Sequence, residues 1–352
     1  MHNKFLESKI GIRARVIGII VFVFIIVSSC SSNKGEPDLG ADNLPQIIVL
    51  YAPGGLGDQG YNDCVLAGVQ KFKKENHSNV EIYQYSPGSI EDAAIIVSDW
   101  LSLPQSAVPA LLVLGSREYE NMLADALAAQ ALTPNKKILF FESDNPRNLP
   151  VTTFRLSMYG ASYLAGITAA ADNMENGGEK DVLALLAHPE DEAIAAAGRG
   201  FCDGFNSCKI GSKADVEYLA EDWTGFISAQ TAYRRMSEWS HRYSFIFPVA
   251  GGSNQGIYRY TREYPAAPLT AGMDVDQSGL SRNITGSLIK HIDRVIYDYM
   301  GEWLKRGELP ESKVYGLDSG YVDWLVSPHF PEFKPLVESA RAEAIKREEA
   351  EI

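Results

Sequence analysis

From residue 46 onward, short runs rich in β-branched residues alternate with longer stretches of helical amphipathic period. This alternation predicts parallel sheets with crossover helices. The strand candidates are 46–51, 80–85, 110–114, 137–142, 181–187, 214–219, 244–249 and 270–273, with helices such as 62–74, 91–103 and 118–131 between them. The pattern runs twice. Four β/α units end near Asn145, a connecting segment follows at 151–156, and a second set begins near Asp181. The expected fold class is therefore α/β, with two similar lobes, each a mostly parallel sheet flanked by helices. In open α/β sheets ligands bind at the carboxyl ends of the strands. The loops that matter are then 52–62, 115–116, 187–192, 221–223, 250–254 and 274–277.

The first thirty residues follow a different pattern. Lys4, Lys9, Arg13 and Arg15 against the single Glu7 make a positive segment, and an apolar run over 16–27 follows it. That is the layout of a secretory signal, and a run of this length falls short of the roughly 20 residues that span a bilayer. The run ends in Val27-Ser-Ser-Cys30, which resembles a lipobox, so Cys30 is expected to carry a lipid and to begin the processed chain. The alternative is a short uncleaved anchor with Cys30 incidental. The polar stretch that follows, to residue 45, reads as a tether. The chain is thus expected to be a membrane-anchored, extracytoplasmic lipoprotein in the periplasm or at the cell surface.

Charge narrows the partners. The chain carries −13, and removing residues 1–29 takes away four basic side chains and one acidic, leaving −16. Such a surface repels nucleic acid and anionic lipid. About 320 residues remain, enough for two sizeable cores. Beyond Cys30 stand Cys64, Cys202 and Cys208; Cys202 and Cys208 either pair across a turn or remain buried thiols. Neither the cysteines nor the six histidines show ligand spacing, so neither a metal nor any other cofactor is expected.

Gly55-Leu-Gly-Asp-Gln-Gly60 spells GxGxxG after a strand and before a helix, the context of a dinucleotide fingerprint. The fingerprint also needs an acid near the end of the second strand, but 81–86 reads Glu-Ile-Tyr-Gln-Tyr-Ser, acidic only at its start. Export argues further against NAD. The glycines still permit a backbone turn close to a ligand, and the following helix start offers free N–H donors.

The segment Gly54-Gly-Leu-Gly-Asp-Gln-Gly-Tyr-Asn-Asp63 resembles the first ligand loop of the basic membrane protein (PnrA-like) family, the purine-nucleoside-binding lipoproteins of ABC transporters. Further segments match in family order: Ser162-Tyr-Leu-Ala-Gly166, Phe201-Cys-Asp-Gly-Phe205, Ala250-Gly-Gly252, Gly272-Met-Asp-Val-Asp-Gln277, Gly286-Ser-Leu-Ile-Lys290 and Tyr315-Gly-Leu-Asp-Ser-Gly320. The resemblance covers about residues 46–325. It implies a two-lobed type I periplasmic-binding-protein fold with a hinge of three crossings, near 151–156, 283–290 and 316–321. The first lobe would comprise 46–153 plus 284–317, and the second 154–283 plus 318–352.

The same resemblance implies the site. Tyr61 and Trp223 would clamp a flat base, one from each lobe, since aromatic pairs gain about 0.5–1.5 kcal/mol beyond area burial. Asp58, Asn62 and Asp63 are the polar candidates of the first loop, with Phe201 a second-lobe wall and Gly251 in the second-lobe glycine turn. Asp274 would accept two sugar hydroxyls, and Lys290 would donate to the same sugar or neutralise that carboxylate. Each has a plainer alternative: Tyr61 stapling its helix to the sheet, Trp223 or Phe201 in the core, Lys290 solvated on a helix, Asp276 capping a turn. The chain departs from the family at Ala187-His-Pro-Glu-Asp191, bulkier and more acidic than the usual glycines, and in carrying Tyr61 and Trp223 where phenylalanine is commoner.

No GxSxG or HExxH motif is present, and Asp274 and Asp276 on one strand do not make a catalytic pair. The chain is therefore expected not to be an enzyme. The expected function is capture of a purine nucleoside between two lobes and delivery to an ABC permease. A membrane-anchored sensor of the same fold, a binder of another small polar ligand and a hydrolase are the alternatives.

Overall fold

The computed structural model describes residues 44–104, 108–177 and 179–352. The expected signal segment 1–29, Cys30 and the expected tether as far as Asn43 lie outside the described residues. No helix among the described residues is long and apolar enough to cross a membrane.

The eight strand candidates fold, together with four strands that were not among them, into two six-stranded sheets. The first holds β1 (Gln46–Leu50), β2 (Glu81–Tyr85), β3 (Ala110–Leu114), β4 (Lys136–Phe141), β5 (Thr152–Leu156) and β11 (Lys313–Tyr315), in the order β11-β5-β4-β3-β1-β2, all parallel. The second holds β6 (Asp181–Leu186), β7 (Ala214–Tyr218), β8 (Tyr243–Val249), β9 (Leu269–Asp274), β10 (Ile284–Lys290) and β12 (Val322–Val326), in the order β12-β10-β9-β8-β6-β7. Only β12 runs antiparallel to its neighbour. Central strands such as β3 and β6 are apolar on both faces because helices cover both sides.

Helices α1 (Tyr61–Asn76), α2 (Ile90–Ser102), α3 (Glu120–Ala129) and α8 (Ile292–Arg306) accompany the first sheet. Helices α4 (Tyr159–Glu175), α5 (Glu192–Ser207), α6 (Ala229–Arg242), α7 (Asn254–Glu263) and α9 (Lys334–Glu351) accompany the second. Helices α4 and α5 pack backbone to backbone: a Cβ on Gly204 would fall 2.0 Å from Tyr163 O, and one on Gly166 2.1 Å from Phe201 O. Only glycine fits there.

Two boundaries differ from the sequence reading. Residues 151–156, expected as a connector split at 153, contain all of β5, a full member of the first sheet. Residues 284–290, expected in the first lobe, form β10 in the second sheet, between β9 and β12. The sequence Ile-Thr-Gly-Ser-Leu-Ile-Lys concealed that strand because its buried positions include polar residues and a glycine. The chain therefore passes between sheets after β5, after β10, and between β11 and β12.

One carboxylate fastens the first and third passages. Glu348 of α9 is buried; its Oε1 accepts from Ser157 Oγ at 2.7 Å and Gly160 N at 2.9 Å, and its Oε2 accepts from Leu317 N at 2.6 Å. Burial raises its pKa, while these donors pull it back. At the second passage His291 N donates to Tyr321 O at 2.8 Å.

Candidate functional site

The carboxyl ends of the two sheets open onto one cavity of about 280 Å³, at the small end of the range for small-molecule sites. Its first-sheet wall begins with the loop after β1. Gly54, Gly55 and Gly57 take φ values of +100°, +71° and +89°, and a Cβ on Gly54 would come 2.6 Å from Ile227 of the second lobe. Asn62, at the start of α1, ties the loop down by accepting from Ala52 N and donating to Gly55 O, both at 2.9 Å. Asp58 accepts from the backbone N–H groups of Gly60, Asn62 and Asp63. Burial pushes its pKa up, and those same donors hold it down.

Asp63 accepts from Gly57 N at 2.8 Å and Gln59 N at 2.9 Å and is not part of the cavity wall. This corrects its expected role as a ligand contact: its oxygens face the loop backbone they shape. The formed loop reaches the second lobe, where Gln277 Nε2 donates to Gln59 O at 2.8 Å.

The polar centre joins both sheets. Lys290, at the end of β10, places Nζ 2.9 Å from Glu142 Oε1, 3.8 Å from Asp274 Oδ1 and 4.7 Å from the centre of the Tyr61 ring. Glu142 follows β4, and its Oε2 accepts from Leu156 N at 3.1 Å. Burial opposes the Lys290 charge, but Glu142 and Asp274 outweigh it and raise the pKa. Burial pushes Asp274 up to about 6, against the pull of Lys290. Both acids are left-handed, φ +56° for Glu142 and +69° for Asp274. That conformation costs a non-glycine residue about 1–3 kcal/mol and clusters where function demands it.

Tyr61 has one ring face toward this ammonium, and its hydroxyl is buried without a hydrogen-bond partner among the described residues. Burial, then Glu142 and Asp274, hold its pKa well above the usual value. Across the cavity stand Trp223 and Phe226, from a short 3-10 turn at Trp223–Ile227, together with Gly251. Asp58, Tyr61, Asn62, Trp223, Gly251, Asp274 and Lys290 thus line one cavity.

Phe201 does not. It is fully buried in α5 and stacks on Phe247 at 4.8 Å between ring centres, with Phe245 at 5.9 Å, so its expected place as a ligand wall is corrected to core. Asp276 caps the following turn by accepting from Ser278 N at 2.9 Å. Cys64, Cys202 and Cys208 are free thiols.

Other cavity residues had no motif to announce them. Glu142 closes a predicted strand, and Arg117 and Glu118 follow β3 just past the loop singled out at 115–116. Asp191, and His188 near it but outside the cavity wall, lie in the loop after β6, already marked by its departure from glycine. Their positions at strand ends were the available signal. Arg117 lies 3.7 Å from Asp191 Oδ1, and His188 Nε2 lies 3.5 Å from Glu118 Oε1. Burial works against a charge on His188, while Glu118 and the neighbouring acids raise its pKa overall. Glu118, His188 and Asp191 bring one potential ligand atom each within 4.8 Å of one another, a grouping between lobes that sequence spacing could not reveal and that bears on the expectation of no metal.

Comparison with known proteins places these features in a lineage. The family model described as "ABC transporter substrate-binding protein PnrA-like" (Bmp) matches residues 46–352. Basic membrane protein A of Borreliella burgdorferi is 24% identical over 329 residues, covering 91% of this chain and 89% of that protein. A CD4+ T-cell-stimulating antigen of Listeria innocua is 22% identical, covering 88% of each. Among solved structures, a solute-binding protein of an ABC transporter system from Aeropyrum pernix superposes with a TM-score of 0.67 at 18% identity, covering 87% of this chain and 86% of that one. At that identity the likeness bears on the fold, the two-lobed architecture of periplasmic solute-binding proteins.

Proposed function

We propose, from the premise that this chain belongs to the Bmp family of PnrA-like ABC transporter substrate-binding proteins, that its cavity captures a purine nucleoside for an ABC permease. Family membership makes the protein a substrate-binding protein of an ABC transporter, working outside the cytoplasm, and not an enzyme. The proposal adds the ligand, the permease it feeds and a lipid anchor on Cys30.

The observation that carries the ligand reading is the convergence of Asp274 and Lys290 from the second sheet with Tyr61 from the first around one cavity. A carboxylate at a strand end beside an ammonium suits a pair of ribose hydroxyls, one accepting and one donating. The Tyr61 hydroxyl, buried without a partner, offers a further polar contact. Trp223 supplies a flat face for a base. Charge supports a ligand without phosphate: Asp58, Glu118, Glu142, Asp191 and Asp274 face only Arg117 and Lys290 among the charged residues of the wall. A phosphate dianion would meet net repulsion there. Contacts from both lobes stabilise a closed state, which then docks on the permease.

Calorimetry on the full chain with a panel of purine and pyrimidine nucleosides tests this reading. Saturable binding of a purine nucleoside, weakened in Trp223→Ala and Asp274→Asn, is the expected result; no heat with any nucleoside refutes it. The anchor is tested separately, by labelled palmitate that enters the wild-type protein and is absent from Cys30→Ala.

A further inference from the structure

We propose that Glu118, His188 and Asp191 form a site for a divalent transition-metal ion of the zinc type, held between the two lobes beside the ligand cavity. Glu118 follows β3 of the first sheet, whereas His188 and Asp191 follow β6 of the second. Their potential ligand atoms all lie within 4.8 Å of one another, and His188 Nε2 is 3.5 Å from Glu118 Oε1. A tetrahedral zinc shell with bonds of about 2.0–2.2 Å sets its donors roughly 3.4 Å apart. The His188–Glu118 spacing already meets that value, and ion binding draws the other donors in from at most 4.8 Å.

His188 distinguishes this group from an ordinary solvated acidic patch. Its side chain is 4% exposed, yet Nε2 makes no hydrogen bond among the described residues and faces carboxylates on both sides of the cleft. Two carboxylates and a neutral imidazole carry −2, which one divalent ion neutralises. A nitrogen donor selects zinc, cobalt, nickel or copper over magnesium and calcium, which take oxygen ligands. Asp191 is already oriented, since its Oδ1 accepts from Ala193 N and Ile194 N at the start of α5.

Two interactions yield to the ion. Ligation through Nε2 leaves the imidazole proton on Nδ1, so the 3.3 Å contact from Glu190 N to Nδ1 is given up. Arg117, 3.7 Å from Asp191 Oδ1, is the counter-charge that the ion replaces. A ligand set drawn from both lobes makes ion binding favour their closed arrangement. Three protein ligands leave a coordination position open, and Glu118 and Asp191 also line the cavity.

The test titrates Zn²⁺ and Co²⁺ into the chelator-stripped full chain, with no nucleoside present, and reads calorimetric heat and the visible cobalt spectrum. One ion per chain with tetrahedral cobalt bands is expected. His188→Gln and Glu118→Gln, each checked for fold by circular dichroism, should weaken binding at least roughly a hundredfold, more than loss of a residue that only hydrogen-bonds a metal ligand usually costs. Loss in both variants requires donors from both lobes. If His188→Gln does not fold, Glu118→Gln alone decides. No saturable binding, undiminished binding in the folded variants, or equal binding of Mg²⁺ overturns the site. Because nucleoside is absent, the outcome is independent of the ligand reading above.

Discussion

Lys290 Nζ stands 2.9 Å from Glu142 Oε1, Lys290 ending β10 of the second sheet and Glu142 directly following β4 of the first. Their ion pair is buried at the junction where the chain leaves β10, so it joins the lobes as well as the charges. Breaking such a pair by removing one partner typically costs about 3–5 kcal/mol, because the other charge is left uncompensated. Asp274 at 3.8 Å from Nζ softens the loss of Glu142 but not that of Lys290. Lys290→Met is therefore expected to cost about 4 kcal/mol in guanidinium unfolding, and Glu142→Gln less. The double variant should recover more than 1 kcal/mol of the summed single losses. Additive losses would mean that the pair is not coupled.

Asp274 sets a pH dependence. Burial pushes its carboxyl up to about 6, and two sugar hydroxyls need the ionised form as acceptor. Nucleoside affinity should hold steady above pH 6 and fall by up to about tenfold per unit below it. Unliganded stability moves the other way through this group. The folded chain binds the proton more tightly than the unfolded chain does, so lowering the pH from about 6 toward the ordinary carboxylate range adds stability. Calorimetry from pH 5 to 8 checks the first expectation, and a flat wild-type profile contradicts it. In Asp274→Asn the dependence should vanish.

Two aromatic residues of the second lobe, both expected at the ligand, should behave oppositely. Phe201→Ala opens a void in a stacked core and should cost about 3–5 kcal/mol of stability, with little effect on affinity in the protein that remains folded. Trp223→Ala, on the half-buried cavity wall, should weaken nucleoside binding roughly tenfold, within the range of an aromatic contact and its buried area, and leave the melting temperature within a few degrees. A large melting shift in Trp223→Ala would return that residue to the core.

Glu348 should govern the hinge. Glu348→Ala strands Gly160 N, Leu317 N and Ser157 Oγ without their acceptor, at about 1–3 kcal/mol for a buried unsatisfied group. A total loss of about 3 kcal/mol is expected, with faster amide exchange at Gly160 and Leu317. Glu348→Gln keeps one acceptor oxygen and should lose less. Exchange that quickens evenly across both sheets, rather than at these amides first, would argue against a local staple.

The periodicity of apolar residues found eight of the twelve strands, among them β1, β3, β4, β6, β8 and β9, which are short apolar runs between amphipathic helices. It missed β5, β11 and β12, and it missed β10, whose Thr285, Gly286, Ser287 and Lys290 are buried and polar or small; their burial depends on partners in other strands, which no local window contains. Tyr61, Asp274 and Lys290 were visible through segments in family order, and Trp223 through the aromatic position that the resemblance gave it. Phe201 and Asp63 were assigned to the cavity by the same segments, but a motif records residue type and not the direction of a side chain. Glu142 had no motif at all. Its position depends on the end of β4 facing the end of β10, a relation that exists only after both sheets form.

The three passages between sheets have an evolutionary consequence. Neither lobe is a contiguous stretch of gene, so a single crossover between relatives cannot exchange one lobe intact; it would split at least one sheet between two parents. Cargo preference in such an architecture diversifies most readily by point changes in the loops at the strand ends. The run His188-Pro-Glu-Asp191 lies in such a loop, between β6 and α5, where a change disturbs no strand.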